Sequence, residues 1–207
     1  MTVRIKICGI TTAEGMDAAI AIAADWIGFN FFPASPRHVT PAQAAALAAR
    51  PGVPTRVGLF VEPGDAEIAA ALAEVKLDIL QIYAGLPRIA AIRARFGLPV
   101  WQPVGVATQA DLPRAAQDMD GFLIEAKPPP GATRPGGNAA SFDWSILAGW
   151  QAPAPWLLAG GLTQANVAEA IRATATPAVD VSSGVERQPG IKDPALVAAF
   201  AAAARAA

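Results

Sequence analysis

Cysteine and histidine are each present once in these 207 residues, and only 16% of the residues are charged. A lone cysteine, Cys8, excludes an intrachain disulfide framework and fits a reducing compartment. The lone histidine, His38, has no metal-ligand partner beside it and is expected at the surface, so no metal site is expected. Sixteen basic residues stand against seventeen acidic ones, and no basic stripe points to nucleic acid. Long apolar runs are missing too: the alanine-rich stretches 42–49 and 198–207 carry Gln, Arg or Phe and are too short to cross a bilayer. The first residues pass straight into a strand pattern, with no hydrophobic leader. The expectation is a soluble cytoplasmic protein without a nucleic-acid or membrane partner.

What is present is an alternation of apolar runs of strand length with alanine-rich helical runs. Strand patterns end at Cys8, span 26–31, 57–61, 79–82, 100–106, 122–124 and 156–159, and finish at 178–181. Helical patterns fall at 13–24, from Thr40-Pro41, at 65–74, 88–96, 108–117 and 164–174, and from Pro194. Thr11 or Thr12 can cap the first helix, with Glu14 as a capping-box partner for Thr11. The strand runs lack the alternation of a half-exposed sheet, which implies a parallel sheet covered on both faces. Eight strand–helix units predict a single α/β domain, a (β/α)8 TIM barrel over residues 1–207; a doubly wound open sheet is the runner-up. The irregular segment is 127–141, rich in Pro and Gly, which follows the sixth strand.

In such a barrel the carboxyl ends of the strands carry the chemistry. Cys8 ends strand one, and on position alone a packed small hydrophobe competes with a reactive thiol. Strand two delivers Asn30 and then Ser35-Pro36-Arg37, where a fork of guanidinium nitrogens can grip a carboxylate or phosphate. Gln81 ends strand four as a ligand contact or a satisfied rim amide. Glu125 ends strand six, with a salt bridge to Lys127 or another basic residue at the rim as the alternative to a chemical role. Asp111 and Asp118 read as helix-surface charges. Ala159-Gly160-Gly161-Leu162 and Val181-Ser182-Ser183-Gly184 end strands seven and eight, where main-chain N–H groups of small residues bind phosphate in these barrels.

Lys6-Ile7-Cys8-Gly9-Ile10-Thr11, Gly28-Phe29-Asn30-Phe31 with Ser35-Pro36-Arg37, Phe142-Asp143-Trp144, Leu158–Leu162 with Asn166, and Val179–Glu186 with Gly190, Lys192 and Asp193 resemble the phosphoribosylanthranilate isomerase family along the whole chain. The resemblance implies a cytosolic barrel enzyme of tryptophan biosynthesis that needs no cofactor. It would convert N-(5-phosphoribosyl)anthranilate to an aminoketose by Amadori rearrangement, as a monomer or a homodimer. It implies Cys8 as general base in thiolate-favouring surroundings, Arg37 on the substrate carboxylate, Asp180 near the reacting sugar, and Gly160, Gly161, Ser183 and Gly184 on the phosphate. Lys6 is expected to point away from Cys8 and is given no part. Three positions depart from the family pattern. Glu125 stands where the family has its acid, an aspartate. Gln81-Ile82-Tyr83-Ala84 replaces Gln-Leu-His-Gly, and Gly136-Gly137-Asn138-Ala139 replaces Gly-Gly-Thr-Gly. Two alternatives therefore stay open: a related barrel enzyme acting on another phosphorylated amino-sugar, and a phosphosugar-binding protein without turnover.

Overall fold

Side chains on a strand point alternately to opposite faces, so a run that is apolar throughout must have both faces covered. In the computed structural model, which describes residues 2–117, 119–128, 131 and 141–207, the runs form β1 (Arg4–Cys8), β2 (Trp26–Asn30), β3 (Thr55–Val61), β4 (Ile79–Tyr83), β5 (Val100–Val106), β6 (Gly121–Ala126), β7 (Trp156–Leu158) and β8 (Ala178–Val181). They pair in parallel in sequence order, and β8 returns to β1, so the sheet closes into a barrel. Outward-facing Ile5, Ile7, Ile27, Phe29, Leu80 and Ile124 pack under Met16, Ile68, Ile89 and Phe200 of the surrounding helices. Each such fully buried side chain contributes roughly 1.5–3 kcal/mol. Inward-facing Trp26, Val57, Ile79, Trp101, Leu123, Leu157 and Ala178 form a separate apolar floor at the amino-terminal end. Trp26 and Trp101 meet there edge to face, with ring centroids 5.3 Å apart. The floor plugs the barrel and leaves only its carboxyl end for a site.

Helices α1 (Ala13–Ala21), α2 (Pro41–Ala48), α3 (Asp65–Glu74), α4 (Leu86–Phe96), α5 (Val167–Thr174) and α6 (Pro194–Arg205) follow β1–β4, β7 and β8. The expected helix over 108–117 does not form. A 3-10 turn at Gln109–Asp111 is all that appears, because Pro113 has no N–H and holds Leu112 extended at φ −70°, ψ 138°. Asp111 is therefore not a charge on a helix face; its Oδ2 accepts from the backbone N–H of Thr108 at 2.8 Å and closes that turn. Asp118 lies outside the described residues. Among the described residues between β6 and β7, the helical element is a 3-10 turn, Trp144–Leu147. The ladder between β4 and β5 stops at Gln81↔Trp101, two residues short of Pro103, which has no N–H to give.

The first helix is capped by Thr12, whose side chain accepts from Gly15 N at 3.1 Å. With Thr12 as cap, Gly15 occupies the capping-box position, so the expected Thr11–Glu14 box cannot exist. Thr11 instead donates to the carbonyl of Gly190, and Glu14 pairs with Arg187 at 2.7 Å. The helix also stops at Ala21 rather than 24, where Ala23 turns into the left-handed region at φ 48°.

Three aspartates repeat one device at the amino-terminal end. Asp25, Asp78 and Asp120 immediately precede β2, β4 and β6, and each accepts the backbone N–H of the preceding strand, from Ile5, Arg56 and Val100 at 2.8, 2.9 and 2.9 Å. Asp78 also receives the Arg56 side chain at 2.8 Å. Asp78→Ala leaves that N–H unpaired, a loss of about 1–3 kcal/mol. For a chain of this length that corresponds to a melting temperature lower by roughly 2–12 °C. Thermal unfolding by circular dichroism checks it.

Candidate active site

Above the apolar floor the inward positions turn polar. Lys6 shares a face with Cys8, because residues two apart on a strand point the same way; the expectation that Lys6 faces away is wrong. Its side chain is fully buried in the barrel, and Nζ donates to Asp180 Oδ1 at 2.8 Å and to Gln81 Oε1 at 3.1 Å. Gly28 makes room for the pair: a Cβ there would sit 2.9 Å from Cys8 Sγ and 3.4 Å from Lys6 Nζ. On β4, Gln81 and Tyr83 share the inward face in the same way, and Glu125 does so on β6.

These side chains open into a cavity of about 720 Å³, its mouth included. Of the sequence-predicted residues, Cys8, Arg37, Gln81, Glu125, Gly160, Gly161, Asp180 and Ser183 line it, together with Asn30, Tyr83 and Ser182. Gly160 and Gly161 take φ values of 86° and 64°, a conformation that brings backbone rather than side chains to the wall. Gly184 is not part of the lining. It packs against the neighbouring loop, where a Cβ would run into the carbonyl of Leu162. His38 is exposed, as expected. The segment Gly136-Gly137-Asn138-Ala139 lies outside the described residues, as does most of 127–141.

Burial and charge set the proton affinities. Glu125 is 7% exposed, and burial, with Asp180 adding to it, raises its pKa to about 7 against the opposing pull of Tyr83 and Lys6. The alternative of a bridge to Lys127 is not met: Lys127 is exposed, and the carboxylate accepts from the Tyr83 hydroxyl at 2.9 Å. Burial also pushes the Cys8 thiol up, and Lys6 only partly offsets it. The thiolate-favouring environment is therefore half present: a cation is at hand, but desolvation wins. For Lys6, burial works against the ammonium, yet Asp180 and Cys8 outweigh it and the net direction is up. Lys6 thus stays charged beneath the thiol.

A second polar cluster stands at the rim between the first, second and last strands. Strands β9 (Glu186–Gln188) and β10 (Ile191–Lys192) form a hairpin that folds back over the loops after β1 and β2. Glu186 receives Arg37 Nε and Nη2 at 2.7 and 2.9 Å and Lys192 Nζ at 2.8 Å. Its desolvation is outweighed by these two cations, which keep its pKa low. Lys192 also donates to the Ser182 carbonyl at 3.0 Å, and the Ser182 hydroxyl donates to the Cys8 carbonyl at 3.0 Å. The fork expected to wait for a substrate carboxylate thus already holds Glu186. Arg37 Nη1 remains without a partner among the described residues, on a side chain that lines the cavity.

A family model for N-(5′-phosphoribosyl)anthranilate isomerase matches residues 5–203. This chain belongs to the phosphoribosylanthranilate isomerase family. It is 59% identical over 204 residues to the N-(5′-phosphoribosyl)anthranilate isomerase of Acidiphilium cryptum, covering 99% of each chain. The crystal structure of the phosphoribosyl anthranilate isomerase of Thermotoga maritima superposes with a TM-score of 0.86 at 33% identity, over 99% of this chain and 100% of that one. Another structure of the family, with reduced 1-(o-carboxyphenylamino)-1-deoxyribulose 5-phosphate bound, gives 0.83 at 31% identity, with the same coverage of both chains.

Lys6, Tyr83, Glu186 and Lys192 are given no site role by the sequence, although the fold brings them into or beside the cavity. Period-two counting from Cys8 and from Gln81 would have found the first two. No local signal reveals the Arg37–Glu186–Lys192 cluster, whose members lie up to 155 residues apart and meet only because the barrel closes.

Proposed function

We propose that this chain catalyses the Amadori rearrangement of N-(5-phosphoribosyl)anthranilate, with Glu125 as general acid and Cys8 as general base. Glu125 gives its proton to the furanose ring oxygen. The C1′–O bond then breaks as the anilino nitrogen's lone pair forms the C1′=N iminium. Cys8 takes the C2′ proton, and that bond's electrons form C1′=C2′ while the iminium pair returns to nitrogen. The enolamine becomes the ketone as C1′ gains a proton and the C2′ hydroxyl loses one. No oxidant, metal or cofactor enters. The observation that carries this reading is one cavity shared by the only thiol and by a carboxyl whose pKa lies near neutrality.

Binding is shared around the rim. The turns at Gly160-Gly161 and at Ser183 offer main-chain N–H groups to the phosphate. Gly184 supports the second turn by letting it pack on Leu162. Asp180 and Gln81, both held by Lys6, face the sugar. Arg37 is locked by Glu186 and turns Nη1 toward the anthranilate carboxylate. The protein works in the cytoplasm on this small phosphosugar alone, as a monomer or homodimer; no helix among the described residues is long and apolar enough to cross a membrane. Turnover of phosphoribosylanthranilate by the purified protein tests the activity. Binding without turnover would favour a phosphosugar-binding protein.

Arg37→Lys keeps a charge for Glu186 but loses the planar fork and its spare nitrogen. Affinity for a carboxylate-bearing product analogue should fall by about 1.5–3 kcal/mol. An analogue lacking the carboxylate should lose much less, and calorimetry on the two ligands separates the contact from general loosening of the rim.

A further inference from the structure

We propose that Tyr83 is the positioning residue for Glu125, holding one carboxyl oxygen so that the other presents its proton to the substrate. This rests on the isomerase reading above and adds a residue to it. Tyr83 is the last residue of β4, and Glu125 lies on β6, with β5 between them. Two strand spacings make about 9–10 Å, a gap that two long side chains can close and short ones cannot. The positions between them on β5, two and four residues on from the inward Trp101, are Pro103 and Gly105, so β5 itself puts no long side chain between them. The Tyr83 hydroxyl donates to Glu125 Oε1 at 2.9 Å, and both residues line the cavity.

Among the described residues the carboxylate has no other hydrogen-bond partner and no ion pair. Lys6 Nζ is committed to Asp180 and Gln81, and Lys127 is exposed. A glutamate side chain has three rotatable bonds, and misplacing an acid by about 1 Å can cost on the order of a hundredfold in rate. Tyr83 is the contact that removes this freedom. It does not exchange protons itself, because burial and the neighbouring carboxylate push its ionisation well above the usual range for a phenol.

The groups facing Glu125 are Tyr83 from β4, Lys6 and Cys8 from β1, and Asp180 from β8. A donated hydrogen bond favours the ionised carboxylate, so Tyr83 opposes the upward push of burial. Removing it must raise the carboxyl pKa above about 7.

The test is the set Tyr83→Phe, Glu125→Gln and the double variant, measured as full pH profiles. Tyr83→Phe should lower kcat about 10-fold or more with KM nearly unchanged, and should move the acid limb of kcat/KM upward. In the Glu125→Gln background the same change should cost nothing further, because the group it works through is gone. Isotope-edited infrared titration of the glutamate carboxyls supplies a readout independent of turnover. An acid limb and carboxyl titration that stay in place, or an equal loss in the Glu125→Gln background, would overturn the proposal. A wild-type protein that fails to turn over substrate would instead overturn the isomerase reading, and the infrared shift would still decide whether Tyr83 governs Glu125.

Discussion

Cys8→Ser should leave the barrel folded and reduce kcat by about 10²–10⁴-fold, the usual worth of a positioned general base. The thiol sits at the end of β1, 6% exposed, above Lys6 and against Gly28. An oxygen in place of sulfur is smaller and still lies beside the Lys6 ammonium, so packing and ligand affinity should change little. A serine hydroxyl cannot become an anion in this pH range even beside a buried ammonium, whereas the thiol can. The loss should therefore fall on kcat with KM nearly unchanged, which is the pattern of an interaction made at the proton transfer. With no thiol to titrate, the two-limbed pH profile should collapse to a single fall as Glu125 loses its proton at about pH 7. A serine variant that keeps more than a few per cent of the activity would remove Cys8 from the role of base.

The strands were legible because a run covered on both faces must be apolar throughout, and eight such runs stand out against alanine-rich sequence. The helices were less so. At 108–117 the composition favours a helix, yet one proline removes an N–H and bends Leu112 out of helical geometry. Around the first helix the choice between Thr11 and Thr12 is a one-residue matter that only the tertiary contact of Thr11 with Gly190 decides. The site shows the same division. Inward-facing strand residues such as Cys8, Gln81 and Glu125 are found by counting along single strands, although Gln81 lies in the middle of β4 rather than at its end. Glu186 lies far beyond Arg37 in sequence, and nothing near Arg37 tells that its fork will be occupied. Tyr83 and Glu125 are likewise 42 residues apart. Read singly, they are two unrelated positions on different strands. In the folded barrel they touch, and the acid and the tyrosine form one unit.

Glu125→Gln should lower kcat by roughly 10²-fold or more while leaving ligand affinity close to that of the parent. The amide oxygen can still accept from Tyr83, so the side chain keeps its place and loses only its proton. The pH profile gives the sharper reading. In the proposed mechanism the productive state needs Glu125 protonated and Cys8 ionised, although Glu125, with its pKa at about 7, is the stronger acid of the two. Between their two pKa values the pair holds one proton, mostly on the thiol, and a constant minority holds it on the carboxyl. The rate therefore falls below about pH 7, where both groups become protonated, and falls again where the thiol finally ionises and the single proton is lost. In the Gln variant the limb near pH 7 has no group to produce it. The residual rate should rise with pH until Cys8 is fully ionised. Glu125→Asp should be equal or worse, since one methylene fewer draws the carboxyl back by about 1.5 Å, the length of a C–C bond, from Tyr83 and from the ring oxygen together. Near-normal turnover by the Gln variant, or a strong gain by the Asp variant, would show that the acid of this barrel lies elsewhere.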